Sequence, residues 1–254
     1  VCTGRGIEHI IARTQCDLVC ASRAQDDDAV ILTTSDGTRH EYKISESRIV
    51  DAGRSGIDPR QGDGIALVTW DMPDKSMNVF TVEVMDEIEK ILDQTVADDG
   101  IKGVVFTSGK SSFSGGADLT MIKGMFSMLE EEKAKDPAAA VQKLFDAAGR
   151  MTWLWRKIET NGKPWVSAIN GTCMGGATEL SLACHGRVAS NAKSVKIGLP
   201  EVKVGIFPGA GGTQRVARLA NTQDALQMMT TGQSLSASRA KAMNLVHQVV
   251  EPDQ

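Results

Sequence analysis

The stretch WVSAINGTCMGGATEL, residues 165–180, joins a short apolar run to a glycine-rich turn and then to the start of a helix. The apolar run at residues 165–169 has the length of a buried strand. Apolar side chains then recur at helical spacing over about residues 176–185. A strand that leads through a glycine turn into a helix is a building unit of α/β folds.

The same alternation continues on both sides of this stretch. Further strand-like runs lie at residues 65–70, 103–107, 187–189 and 194–197, and helical periodicity covers residues 84–96 and 119–160. Pro137 is expected to divide the long segment into two helices, because proline has no amide hydrogen to donate inside a helix. Strands that alternate with helices predict an α/β fold with a largely parallel sheet.

The first 60 residues have a different pattern. Two β-rich runs, at residues 29–34 and 40–44, flank Asp36-Gly37 and predict a hairpin. The Gly-, Pro- and Asp-rich run at residues 51–64 predicts a linker. We therefore divide the chain into a segment of unknown role at residues 1–60 and a main domain at residues 61–254.

Composition limits the class of protein. The chain has 254 residues, of which 41% are hydrophobic and 24% charged, as in globular proteins with a buried core. The net charge of −4 argues against a nucleic-acid partner or an anionic membrane surface. Apolar runs are far shorter than the roughly 18 residues of a membrane span, so we expect a soluble protein without membrane insertion. No secretory signal opens the chain, and a cytoplasmic location is expected.

The cysteines suggest free thiols. There are five, an odd number spread over the chain, which suits a reducing compartment. Cys16 and Cys20 lie near His9, but a second ligand pair at zinc-finger spacing is missing. No metal site is therefore predicted.

Three glycine-rich turns follow strand-like runs, at FSGGADL (residues 113–119), NGTCMGG (170–176) and PGAGGT (208–213). Glycine lets main-chain N–H groups approach a ligand closely, although such turns also occur without any ligand. None matches a dinucleotide or phosphate-loop motif, so a nicotinamide or nucleoside triphosphate cofactor is not supported. The hydrolase motif Gly-x-Ser-x-Gly is also missing.

Two carboxylates stand out beside these turns. Glu179 is the only ionisable group of ATELSLAC, residues 177–184, apart from a weakly acidic thiol. Glu201 follows the apolar, turn-marked run IGLP. The two acids are candidates for acid/base work in a common pocket. The alternative, carboxylates with no catalytic role, stays open because a helix N-terminus alone also favours an acidic residue.

These residues resemble the enoyl-CoA hydratase/isomerase (crotonase) family. The similarity covers most of residues 64–250 and is closest to the hydratase region of multifunctional β-oxidation proteins. It rests on Asn78, FSGGADL (113–119), KPWVSAING (163–171), GGATE (175–179), PE (200–201) and PGAGGTQR (208–215). The resemblance implies an α/β, crotonase-like spiral of ββα turns. Because the chain stops at Gln254, we expect it to lack the C-terminal helices of the family.

The resemblance also implies a reaction, the addition of water to a trans-2-enoyl-CoA in fatty-acid β-oxidation. Glu179 would activate the water for attack at C3, Glu201 would deliver a proton to C2, and the backbone N–H groups of Ala117 and Gly176 would form an oxyanion hole. The expected substrate contacts are Lys75, Met77, Gly116, Asp118, Leu119 and Gly175. Coenzyme A is part of the substrate, and no separate cofactor is expected.

Other activities on this scaffold remain alternatives. They are Δ3–Δ2 enoyl-CoA isomerisation as a second activity, hydrolysis of a CoA thioester, and a non-catalytic or RNA-binding role, against which the negative net charge counts. We expect a homo-oligomer or a place in a β-oxidation complex. Core packing is the expected role of one cluster, with an acyl tunnel as the alternative: Met121, Met125, Met128, Trp153 and Trp155.

Overall fold

The strands of the chain form one large and one small sheet. A computed structural model describes residues 18–23, 29–34, 39–50, 55–56, 64–73 and 75–252, with side chains from residue 64 onward. The strands are β1 Leu18–Arg23, β2 Ala29–Thr34, β3 Arg39–Val50, β4 Ser55–Gly56, β5 Ile65–Asp71, β6 Gly103–Ser108, β7 Trp165–Ile169, β8 Cys173–Met174, β9 Gly186–Ser190, β10 Ile197–Gly198, β11 Ser234–Leu235 and β12 Gln248–Val250. In the described part, the large sheet has the order β1-β2-β3-β5-β6-β7-β9-β12, with β4 beside β3, and the small sheet has the order β11-β10-β8.

Helices connect the parallel strands. They are α1 Val82–Ala97, α2 Leu119–Lys133, α3 Pro137–Thr160, α4 Gly176–Ala183, α5 Gly212–Leu219, α6 Thr222–Thr231 and α7 Ala237–Ala242, with a 3₁₀ turn at Glu201–Val204. Along the order β3-β5-β6-β7-β9-β12 each neighbouring pair of strands is parallel, whereas β4 is antiparallel to β3. The predicted α/β fold with a largely parallel sheet is thereby confirmed, as is the break between α2 and α3 at Pro137.

The central strands and their helices bury continuous apolar surfaces. Five of the six residues of β6, GVVFTS, are buried, as expected for a parallel strand covered on both faces. Helix α1 begins at the N-cap Thr81, whose hydroxyl accepts the Val84 N–H, and buries Met85, Ile88 and Leu92 on one face. This spacing is the helical periodicity read from the sequence.

An aromatic cluster at the centre of the core supports one of the glycine turns. The Phe80 ring lies 4.6 Å from Trp70 and 5.1 Å from Trp155 between centroids, and all three residues are at most 1% exposed. The backbone of Phe80 pairs with Gly116 and Asp118 on either side of Ala117, with N···O distances of 2.8 and 3.0 Å. The 113–118 turn is therefore attached to a rigid part of the core.

Two expectations need correction. The predicted strand at residues 194–197 is shorter, because Val195 N–H bonds the Ala192 carbonyl in a turn and only Ile197–Gly198 pairs as β10. The prediction of core packing is wrong for Met128 and Trp153, which are 71% and 60% exposed. Trp155 is fully buried, as expected. Helix α2 buries no residue, because it lies on the outside of the molecule against α3.

The N-terminal strands pair with one another and with the main sheet. β2 and β3 are antiparallel, with Ala29 opposite Lys43, and β3 runs parallel to β5. The predicted turn at Asp36-Gly37 lies outside the described residues, as do most of the predicted linker, His9 and Cys16. The division of the chain at residue 60 stays a prediction. Among the described residues, no helix has the length and apolarity needed to cross a membrane.

Candidate active site

Three loops meet where β5, β6 and β7 end. The Ser114 N–H donates to the Thr172 carbonyl at 2.9 Å, and the Met174 N–H donates to the Ser114 carbonyl at 3.0 Å. The Gly115 N–H in turn donates to the Asn78 carbonyl at 2.9 Å. These backbone bonds join the 113–118 turn to the 172–176 turn, which lie far apart in sequence.

Asn78 organises this junction from inside the protein. Its fully buried side chain donates to the Trp70 carbonyl at 2.8 Å and to the Ser108 hydroxyl at 2.9 Å, and it accepts the Met72 N–H at 3.0 Å. Because buried polar groups are costly unless paired, this network favours one arrangement of the strand ends. Asn78 thus holds the strand ends and the glycine turns together.

The two turns bring the N–H groups of Ala117 and Gly176 close together. A Cβ built on Gly176 would lie 3.7 Å from the Ala117 nitrogen. Gly176 is the first residue of α4, so its N–H has no acceptor within the helix, and Ala117 is flanked by the two groups that pair with Phe80. Neither N–H donates to a protein group in the described part of the chain. Two such adjacent donors can bind a single oxygen atom.

Glycine is required beside these donors. Gly116 has a φ of +91°, and a Cβ there would lie 2.6 Å from the Met174 carbonyl oxygen and 3.1 Å from the Gly176 nitrogen. Gly175 has a φ of +55°. A side chain at Gly116 would therefore push the two turns apart. Backbone geometry thus accounts for glycine at two predicted site positions, Gly116 and Gly175.

Glu179 is buried in the first turn of α4 and is held by a third loop. It is 3% exposed, and its Oε1 accepts the N–H groups of Ala210 and Gly212, both at 2.8 Å. Burial raises the pKa of Glu179 to about 7, and the charge of Glu201 adds to this rise. The two N–H groups and Arg215 oppose it, because they favour the ionised form.

Glu201 approaches the same region from the 3₁₀ turn that it begins. It is 8% exposed, and its Oε1 lies 3.3 Å from the position of a Cβ on Gly175. Its Oε2 is buried without a hydrogen-bond partner among the described residues. Burial raises the pKa of Glu201 as well. The structure thus brings both predicted acids to the turn that carries the Gly176 N–H.

The remaining predicted contacts lie at the edge of this region. Asp118 caps α2 through the N–H groups of Thr120 and Met121, which lower its pKa, and it lies 4.0 Å from the Lys75 ammonium. Leu119 is 62% exposed. Met77 packs against Gly115, and a Cβ added to Gly115 would lie 2.8 Å from the Met77 sulfur. A role of these residues in binding CoA stays a prediction.

The sequence predicted no role for two charged residues near Glu179, which are Arg215 and Glu159. Arg215 is 9% exposed, and it binds Glu159 of α3 with its Nε at 2.7 Å and the Ala210 carbonyl with its Nη1 at 2.8 Å. The available signal was the run PGAGGTQR, whose glycines precede a helix and present N–H groups. That run predicts an anion partner but not that the anion is Glu179.

We expect Glu179→Gln to stabilise the folded protein. A carboxyl whose pKa is about 7 when folded, against a usual 4.5, penalises the folded state increasingly as the pH rises from 4.5 to 7. Glutamine keeps the Oε1 acceptor and removes this penalty, worth up to about 3 kcal/mol above pH 7. Urea unfolding at pH 8 and pH 5 measures the gain, which should be larger at pH 8. The exposed Glu131→Gln is the control, and an unfolding free energy at or below wild type at pH 8 contradicts the expectation.

Comparisons with known proteins agree on one family. The profile of the enoyl-CoA hydratase/isomerase family matches residues 60–254. The fatty acid oxidation complex subunit alpha of Idiomarina loihiensis is 41% identical over 189 residues, which are 74% of this chain and 25% of that protein. The corresponding subunit of Shewanella frigidimarina is 42% identical over 192 residues, 75% of this chain and 25% of that protein. This chain spans about a quarter of the length of these relatives.

Solved structures share the fold. The enoyl-CoA hydratase of Bacillus anthracis aligns with a TM-score of 0.65 and 29% identity over 78% of this chain and 70% of that chain. The enoyl-CoA hydratase of Thermoplasma volcanium aligns with a TM-score of 0.63 and 27% identity over 75% of this chain and 69% of that chain.

Proposed function

The chain belongs to the enoyl-CoA hydratase/isomerase family, and we propose that it adds water to the double bond of a trans-2-enoyl-CoA in fatty-acid β-oxidation. Its fold is the α/β, crotonase-like fold of that family. One observation carries the proposal: two buried acids, Glu179 and Glu201, lie beside a pair of N–H groups that have no protein acceptor among the described residues. The names of the relatives agree with this chemistry.

The N–H pair supplies the electrostatic part of the mechanism. When an oxygen nucleophile adds to C3 of an enoyl thioester, the electron pair of the double bond moves towards the thioester oxygen as an enolate. Donors that are already aimed at this oxygen stabilise the developing charge, by about 3–4 kcal/mol for one donor in measured cases. The N–H groups of Ala117 and Gly176 would be these donors, and the positive end of the α4 dipole would add to them.

The acids supply the proton transfers. Ionised Glu179 takes a proton from water as the water oxygen bonds to C3, and protonated Glu201 gives a proton to C2. Net addition of H and OH follows, and return of the proton from Glu179 to Glu201 restores the starting state. Two N–H bonds to Glu179 favour its ionised form, whereas the partnerless Oε2 of Glu201 suits a protonated carboxyl.

The experiment that tests the function follows the ultraviolet absorbance of a trans-2-enoyl-CoA. Loss of that absorbance with formation of a 3-hydroxyacyl-CoA supports the proposal. Release of free CoA instead would identify a thioester hydrolase, and conversion of a 3-enoyl to a 2-enoyl thioester would identify the isomerase activity. A folded protein that leaves the enoyl-CoA unchanged overturns the hydratase proposal.

The pH dependence should reflect the ionisation of Glu179. Since burial raises the pKa of this base to about 7, we expect kcat/KM to fall as the pH drops below about 7, approaching tenfold per unit. The fall should reverse on returning to pH 8, which excludes acid unfolding. A kcat/KM that stays constant from pH 8 down to pH 5 contradicts the assignment of Glu179 as the base.

Partners and location are further proposals. The relatives are named as subunits of a fatty acid oxidation complex, which supports assembly of this chain into such a complex or a homo-oligomer. Size-exclusion chromatography with light scattering tests the homo-oligomer. A cytoplasmic site of action rests on the odd number of cysteines, which favours a reducing compartment.

A further inference from the structure

The catalytic candidate Glu179 depends on a short turn for its orientation. Residues 208–212, here called the base turn, present the Ala210 and Gly212 N–H groups to Oε1 of Glu179 at 2.8 Å each. In the described part of the chain, Oε2 of Glu179 accepts no hydrogen bond. The turn thus fixes one oxygen of the carboxylate and leaves the other available to a reacting water.

Arg215 holds the base turn from the opposite side. Its Nη1 donates to the Ala210 carbonyl at 2.8 Å, within the same residue whose N–H binds Glu179. Gly211 lies directly against the guanidinium at a φ of +95°, where a Cβ would overlap the arginine side chain. The arginine therefore restrains the peptide between Ala210 and Gly211, which lies between the two N–H groups that bind Glu179.

Arg215 is itself anchored to helix α3. Its Nε donates to Oε1 of Glu159 at 2.7 Å, and Oε2 of Glu159 accepts from Arg156 at 3.0 Å. A second bond to α3, from the Thr152 hydroxyl to the Gly209 carbonyl at 3.1 Å, holds the other end of the base turn. Since the Arg215 side chain is only 10% exposed, its pair with Glu159 is weakly screened by solvent.

On the basis of the proposed function, we propose that Arg215 is a positioning residue. Anchored by Glu159, it fixes the base turn and through that turn the orientation and charge of Glu179. The charged groups around Glu179 are Glu201 from the 3₁₀ turn, Arg215 from α5 and, behind Arg215, Glu159 from α3. Arg215 is the cation among them that acts on Glu179. A merely structural role, joining α3 to α5, is the alternative.

The test uses Arg215→Gln, which removes the charge, and Arg215→Lys, which keeps the charge and loses the fork that contacts the turn and Glu159 together. Arg218→Gln, an exposed position on the same helix, is the matched control. Carbon-13 NMR of labelled glutamate carboxyls, with the Glu179 signal assigned by its absence in Glu179→Gln, follows the titration of Glu179 without any need for activity. The hydration assay gives kcat and KM in the same proteins.

We expect Arg215→Gln to raise the Glu179 midpoint measurably, because a nearby positive charge that favours the ionised form is lost. It should also lower kcat by roughly tenfold or more per folded molecule, with little change in KM. Arg215→Lys should restore the midpoint and only part of kcat. An unchanged Glu179 midpoint in Arg215→Gln, with activity that follows the folded fraction, overturns the proposal. Failure of the wild-type protein to hydrate an enoyl-CoA would refute the proposed function alone, because the NMR titration still decides the role of Arg215.

Discussion

Replacing Glu179 by glutamine is expected to lower kcat for hydration of a trans-2-enoyl-CoA by roughly 10³-fold, the range of a lost general base. Glutamine keeps the shape of the side chain and its bonds to the Ala210 and Gly212 N–H groups, but it cannot accept a proton from water. KM should change little, because the backbone N–H groups that would bind the thioester are untouched. Steady-state kinetics at pH 8 measures both constants.

The second acid provides the comparison. Glu201→Gln should cost roughly 10²- to 10⁴-fold in kcat, since the proton to C2 would have to come from elsewhere. The double variant should be little slower than the slower single variant, because the acids act as a unit on one water. The exposed Glu131→Gln controls for the substitution itself. Hydration near the wild-type rate in both single variants would remove the basis of the mechanism.

Replacing Gly176 by proline is expected to lower kcat/KM by roughly 10²- to 10³-fold, the cost of one oxyanion donor. Position 176 is the first residue of α4, where proline is accepted because the lost N–H has no helical acceptor. The preceding Gly175 has a ψ of −127°, outside the α region that a following proline disfavours. The substitution removes the donor and places the proline Cδ atom where the N–H hydrogen was, so it also narrows the space that the thioester oxygen would enter.

Gly176→Ala is the matched control for this variant, since it adds the Cβ but keeps the N–H. A Cβ at this position would lie 2.7 Å from the terminal methyl of Met151, the mobile end of a flexible side chain. Both variants are therefore best compared in a Met151→Ala background. Equal kcat/KM for the alanine and proline variants would show that the Gly176 N–H is not an oxyanion donor.

The sequence was informative about this fold wherever periodicity and local chemistry agree. The strands at residues 65–71, 103–108 and 165–169 and the helix break at Pro137 follow from apolar runs and a missing amide hydrogen. The exposure of α2 could not be predicted from the sequence. Met and Phe residues at helical spacing give the same sequence pattern whether or not a neighbouring element covers them. Burial of Trp155 and exposure of Trp153 likewise depend on tertiary contacts.

The candidate site was predictable in its residues but not in its support. The glycine-rich turns beside Glu179 and Glu201 lie in the loops that the structure brings together, and close backbone approach requires glycine at Gly116. The bonds from Ala210 and Gly212 to Glu179 join residues more than 30 positions apart, and Arg215 acts on the carboxylate both by its charge and by its bond to that turn. No local pattern encodes such a long-range arrangement, which opposes the rise that burial causes in the pKa of Glu179.

A crystal structure with a bound 3-ketoacyl-CoA, whose enolate resembles the charge state formed during hydration, tests the shared location of acids and donors most directly. We expect the thioester oxygen within about 2.7–3.1 Å of both the Ala117 and the Gly176 nitrogen. The C3 oxygen should then lie between the carboxyl groups of Glu179 and Glu201. A thioester oxygen bound away from either nitrogen, or a C3 atom out of reach of both carboxyl groups, would contradict the account.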